Sequence, residues 1–432
     1  PDGDVVFYRV LSAAHGSAAL SADGRAVIFT PDAGFTGAAA FEIMADDGFN
    51  ASAPAQVAVT VSSAPLVSLE FRRRAYELAP GTAARVEVIG DFADQADVVL
   101  PLDYVGTRLE NTSIATLTRD GVLSAAAPEG TTILLASRGA LTVATSVTVG
   151  EPDVQGAIGY FHTIDAYPDA ITLVPEGGNR QIVVNLADPL IFVGRATDGT
   201  RYFSSNTDVV TVTPDGLIEA VGEGVAEVTV IHYDAEEVLR VRVDAPQTGP
   251  VVVAKDDGAI VRNAEGYAVA IGPGLLSGNA TVAIEGVAEA DLALPLPGAG
   301  AFGFVGAFDL SVDGGDLLGP VQIAVPVAAS VAAPGDQIFF MRKMTLPMDA
   351  GLTREVWTVV DSGTVGADGF ARTASPPYPG LGDRGSYLIA KMTVPSGSLY
   401  IDPATINGIM YAYSAAMGIA VAVTALGGAP AG

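Results

Sequence analysis

The stretch Gly16–Gly48, "GSAALSADGRAVIFTPDAGFTGAAAFEIMADDG", decides the fold. Apolar residues alternate in "RAVIFT" and "AFEIMA", and the runs are punctuated by Asp23-Gly24, Pro31-Asp32 and Asp46-Asp47-Gly48. Period-2 alternation bounded by turn residues predicts strand, turn, strand, turn, strand. The same grammar recurs along the chain in "VVFYRV", "QVAVTV", "RVEVIG", "AEVTVI" and "VLRVRV". Helical periodicity is nearly absent, so the reading is all-β, a series of antiparallel sandwiches.

Asp-Gly pairs stand at Asp23-Gly24, Asp120-Gly121, Asp198-Gly199, Asp215-Gly216 and Asp368-Gly369. They tolerate the positive φ of tight hairpins, so most of these acids are expected to form turns. An internal repeat is visible as well. "NTSIATLTRDGVLSAAAPEGTTILLAS" from Asn111 lies over "NTDVVTVTPDGLIEAVGEGVAEVTVIH" from Asn206, and a one-residue adjustment brings Gly130 onto Gly224. Self-similarity of this kind means tandem domains. Linkers are expected at "VSSAP" (61–65), "GEPDVQG" (150–156) and "DAPQTGP" (244–250), because few contacts cross such stretches.

The chain has 432 residues, which suits roughly three to four domains. Apolar residues make up 49%, enough for several cores, while 22 basic against 49 acidic residues leave a net charge of −27. That charge repels nucleic acid and anionic lipid surfaces. Without cysteine there are no disulfides, thiolate metal sites or thiol nucleophiles. The start, "PDGDVVFYRV", reads as an internal cut of a longer protein.

The residues of the opening stretch resemble a bacterial cadherin-like, Ig-type domain, through "PDGD" (1–4), 15–37, "FEIMADDG" (41–48) and "AQVAVTV" (55–61). Against that family the first one or two strands are missing, so the domain is truncated or completed by a strand from another chain. Residues 66–149 resemble group 2 bacterial Ig-like domains through "LAPGTAARVEV" (78–88) and 113–137, and 168–244 look like a second copy through 209–233. The family's usual Trp is absent from both copies, and Tyr104 and Tyr202 are expected to take part of its role. Residues 258–284, with "GPVQIAVPV" (319–327) and 355–370, are similar to a ZU5-like β-sandwich. The expected domains are 1–63 (cadherin-like), 64–150 and 151–246 (group 2 Ig-like), 247–393 (ZU5-like) and an apolar C-terminal segment, 394–432. The last contains an uncharged run, Ile406–Leu426, long enough for a bilayer. It lacks Lys or Arg anchors, so a membrane span is not expected, and it reads as a strand or helix packing on protein.

No catalytic pattern stands out. His15, His162 and His232 are scattered, with no G-x-S-x-G elbow, and Lys255, Lys343 and Lys391 sit in no phosphate loop. No enzyme is expected. His15 is expected to shape a turn. Calcium is the one cofactor considered: it takes six to eight oxygens, and Asp2, Asp4, Asp46 and Asp47 are its candidate ligands at one end of the first sandwich. The sequons at Asn50, Asn111 and Asn279 are expected to be coincidental if the source is bacterial.

These resemblances imply a structural segment of a large bacterial extracellular surface protein. It would be a stalk or a filament or layer subunit, with self-association or neighbouring domains as partners. The alternative is a glycan- or host-protein-binding module, with Tyr378 and Trp357 as candidate exposed aromatics, although the alternating run around Trp357 suits core packing. A third reading is the leader of a secreted polymorphic toxin.

Overall fold

A computed structural model describes residues 6–21, 24, 26–48, 50–151, 163–175, 177–186, 191–297, 302–347, 353–375 and 378–393. The chain is all-β. Among the described residues the only helical turns are two of 3-10 type, Ala196–Asp198 and Glu289–Asp291. Two compact units divide it, one of residues up to Ser68 with Gly90–Val98, the other of Leu69–Ile89 and everything from Val99.

In the first unit the opening stretch forms the three expected strands, Gly16–Leu20, Val27–Pro31 and Gly37–Asp46. The first two pair antiparallel, Gly16 opposite Pro31. The third is the centre of a second sheet, between Phe7–Ala14 and Ala55–Val61. His15 turns the chain between strands with φ +60°, and its ring stacks on Phe35 at 4.3 Å. Burial is thin here. Among the described residues up to Ser68, Ala39 and Phe41 are the buried apolar ones, while Phe7, Tyr8, Leu11, Ile28 and Val57 are exposed.

The repeat seen in the sequence is a repeat in space. Strands Gly106–Leu109, Gly130–Arg138, Leu141–Val149 and Tyr76–Leu78 make one sheet, and Thr200–Ser204, Gly224–His232, Ala235–Val243 and Ala170–Leu173 make its counterpart in the same order. In each, the short strand pairs in parallel with the last one: Tyr76 lies opposite Val147, and Ala170 opposite Arg240. The hairpins agree bond for bond. Thr118 N donates to Val122 O and Thr213 N to Leu217 O, both at 2.9 Å, around Gly121 (φ +85°) and Gly216 (φ +82°). Even the adjusted glycines match: a Cβ on Gly130 would strike Ile114, and one on Gly224 would strike Val209, the residues aligned in sequence.

From Gln247 onward a single ladder of eleven strands runs from Gln247–Thr248 at one edge to Val251–Val253 at the other. Only Gly249 and Pro250 separate those edge strands in sequence, so the sheet must fold back on itself. It encloses one core, in which Phe308 and Tyr387 stack at 5.0 Å.

Candidate functional site

Of the four candidate calcium ligands, Asp46 and Asp47 are among the described residues. Asp46 ends strand Gly37–Asp46, where it pairs with Arg9 at 3.1 Å and accepts the Gly48 amide at 2.8 Å. Asp47 accepts the Asn50 amide at 2.7 Å. These bonds are what a turn-forming Asp-Asp-Gly needs. Asp2 and Asp4 lie outside the described residues, as do His162 and the C-terminal segment. Among the described residues no group of three or more acids or histidines is arranged to hold a metal ion. No helix there is long and apolar enough to cross a membrane.

The two tyrosines expected to replace a tryptophan part ways. Tyr202 packs against the core of its sandwich and donates from its hydroxyl to Gly194 O at 2.7 Å. Burial holds that hydroxyl well above the ordinary tyrosine range. Tyr104 lies before strand Gly106–Leu109 and stacks under the Arg138 guanidinium at 3.7 Å. Neither candidate binding aromatic is freely presented. Trp357 is half-buried in a small cluster with Leu292 and Leu296, and its indole N–H donates to Pro295 O at 3.2 Å. Tyr378 is half-buried, and desolvation raises its hydroxyl.

The most developed polar constellations are two joints between sandwiches of the second unit, each centred on an arginine. At the first, Ile133, Leu135 and Ala144 meet Ile231 and Phe203 of the following sandwich. Strand Leu141–Val149 is therefore buried on both faces over most of its length. Beside this patch Arg74 forms an ion pair with Glu236 and donates to Ala144 O (2.8 Å) and Thr229 Oγ1 (2.9 Å). Glu236 also accepts from Thr145 Oγ1 and Ser146 N, each at 2.9 Å. A carboxylate this deeply buried is tolerable only with such full pairing. Backbone bonds add to it, Thr142 N to Ser205 O at 3.0 Å and Thr207 N to Ala140 O at 3.1 Å.

At the second joint Arg180 leaves strand Asn179–Gln181 and enters the eleven-stranded domain. Its guanidinium donates to Thr373 O at 3.0 Å and Ser375 O at 2.7 Å, with the residue 7% exposed. Desolvation lowers its affinity for a proton. Gln322 Nε2 returns a bond to Asn179 O at 3.1 Å. Asp361, 1% exposed, accepts the amides of Ser362 (2.7 Å) and Ala374 (3.2 Å), and burial raises its carboxyl above the usual range. Chemically these groups fix orientation: each joint places a hydrogen-bonded charge where a slip of one sandwich would strand it, buried, without its partners.

Neither joint was foreseen from the sequence. Arg74, Arg180 and Glu236 look like surface charges there. One signal was present: "ILLA" (133–136) runs apolar without alternation, as strands covered on both faces do.

A sequence model described as "Bacterial Ig domain" matches residues 1–60. No curated protein matches the chain. Among solved structures, the surface-layer protein SbsC, domains 1–6, aligns over 82% of this chain and 47% of its own, at 15% identity and TM-score 0.20. SbsC domains 4 and 5 align over 28% of this chain and 68% of their own, at 19% identity and TM-score 0.17. The human Desmocollin-1 ectodomain aligns over 82% of this chain and 71% of its own, at 14% identity and TM-score 0.15. The chain thus spans about half the length of the longer surface-layer structure.

Proposed function

We propose that this chain is a structural segment of a large bacterial extracellular surface protein, a stalk or a filament or layer subunit used in adhesion or assembly. The observation that carries this reading is the pair of arginine-centred joints, which couple three consecutive sandwiches into one compact unit. A module that only displays a binding loop has no need of buried charges between its domains. A load-bearing spacer does, because its use depends on fixed domain orientation. The bacterial Ig match over residues 1–60 and the net charge of −27 suit such a setting.

The finer assignments belong to the same proposal: a cadherin-like first domain, two group 2 Ig-like domains and a ZU5-like domain with boundaries at 63, 150, 246 and 393. Self-association would use the first sandwich. Phe7–Ala14 and Ala55–Val61 are edge strands of its described sheet, with exposed Phe7, Tyr8 and Leu11 on the former. Such an edge accepts a strand from a neighbour. Calcium at Asp2, Asp4, Asp46 and Asp47 would stiffen that end.

Negative-stain microscopy of the full chain, with and without a calcium chelator, tests the reading. Filaments or sheets, or separate particles with one constant geometry over the second to fourth sandwiches, are expected. Particles that bend freely at both joints would overturn it. Loss of order on chelation would assign the aspartates to calcium, and no change would remove calcium from the proposal.

A further inference from the structure

Where the third sandwich meets the eleven-stranded domain there is a cavity of about 30 Å³, lined among others by Tyr167, Thr172 and Arg180 on one side and Gln322, Asp361 and Ser375 on the other. Thr172, Arg180, Asp361 and Ser375 are all more than nine-tenths buried. Three polar atoms on these lining residues have no hydrogen-bond partner in the protein: Arg180 Nε, Thr172 Oγ1 and Ser375 Oγ. The Ser375 hydroxyl lies close enough to the Asp361 carboxylate to favour its charged form. Buried polar groups are nearly always satisfied, and three exceptions around one cavity share one explanation.

We propose that this cavity is a hydration site, holding ordered water that bonds Arg180 Nε, Thr172 Oγ1 and Ser375 Oγ and so joins the two domains. Size supports it: a water needs about 10–15 Å³ of such space, so the cavity takes about two. Chemistry supports it too. Arg180 offers only a donor, whereas the two hydroxyls can donate or accept, and water serves both. A bound anion is disfavoured because the Arg180 charge is balanced by Asp361 on the facing wall. The joint is then a wet one, with its polar bonds completed through solvent, which costs little compared with direct contacts.

A crystal structure of the full chain at about 2 Å or better tests this, since buried waters with about three partners are well ordered. Water density within hydrogen-bond distance of Arg180 Nε and of at least one of the two hydroxyls is expected. An empty cavity, or an anomalous peak there after a bromide soak, would overturn the proposal. In solution, oxygen-17 relaxation dispersion counts long-lived waters. The double variant Thr172→Val, Ser375→Ala should lose about two of them relative to the parent chain, in line with the cavity's size. An unchanged count in a folded variant would overturn it equally.

Discussion

Arg74 and Glu236 form an ion pair across the joint between the second and third sandwiches, with the Glu236 side chain 5% exposed and that of Arg74 25% exposed. Removing one partner of such a pair leaves a charge without its counter-ion in a dry interface. Arg74→Ala is expected to cost about 3 kcal/mol. Arg74→Met combined with Glu236→Leu should recover much of that loss, since an apolar pair of similar volume leaves no charge unpaired. Urea unfolding of the two variants beside the parent checks it. Equal losses in the single and double variants would contradict the account.

The hairpin turns make a prediction about glycine. Gly139 sits at φ +61° with open space where a Cβ would go, so Gly139→Ala meets only the left-handed backbone penalty, about 1 kcal/mol. Gly121 has φ +85°, and its Cβ would lie 2.8 Å from the Val86 carbonyl oxygen. Gly121→Ala should therefore cost clearly more, about 2–3 kcal/mol. Thermal unfolding of the two variants gives the ranking, and a reversed order would sink it.

His232 supplies a pH dependence. It is 3% exposed, its Nδ1 lies 2.9 Å from Thr200 Oγ1, and burial lowers its pKa below the ordinary 6.5. The folded state then binds fewer protons at this site than the unfolded chain. Its contribution to stability is complete above pH 6.5 and is lost as pH falls through 6.5 toward the depressed folded value. His232→Gln should flatten the stability profile between about pH 6.5 and 5, where no ordinary carboxylate yet titrates strongly. Melting temperatures across that window provide the measurement, and an identical slope in the variant would count against it.

Trp357 is the sole tryptophan, so its fluorescence reports on one place. Its indole is covered by the segment carrying Leu292, Leu294, Pro295 and Leu296. Leu292→Ser with Leu296→Ser should loosen that cover and raise acrylamide quenching about two-fold or more, since both leucines, partly buried, give up the apolar area they hold against the indole. A parent protein already quenched like free tryptophan would instead mark an exposed binding aromatic.

The strands were legible because their alternation and turn chemistry are local. Gly16–Gly48 resolves into three strands, and the match of Gly130 to Gly224 survives as matched contacts with Ile114 and Val209. What is not local was not legible. The continuity of eleven strands depends on strand order, which periodicity does not encode. Arg180 cannot be told from a solvated arginine until the carbonyls of Thr373 and Ser375, almost two hundred residues away, are known to meet it. Tyr104 and Tyr202 show the same limit: equal in composition, they differ because one falls on a core-facing strand position and the other before the strand begins.

The parallel pairing of Tyr76–Leu78 with Val147–Val149, and of Ala170–Leu173 with Arg240–Val243, has a mechanical consequence. In each sandwich a strand near the entry of the chain is laced to the strand by which the chain leaves. Tension applied through the two ends pulls these strands past each other along their length. Every ladder bond is then loaded in shear at once, and none can be opened first as in a zipper. The second and third sandwiches are therefore built to yield late under a stretching force that enters through their two ends.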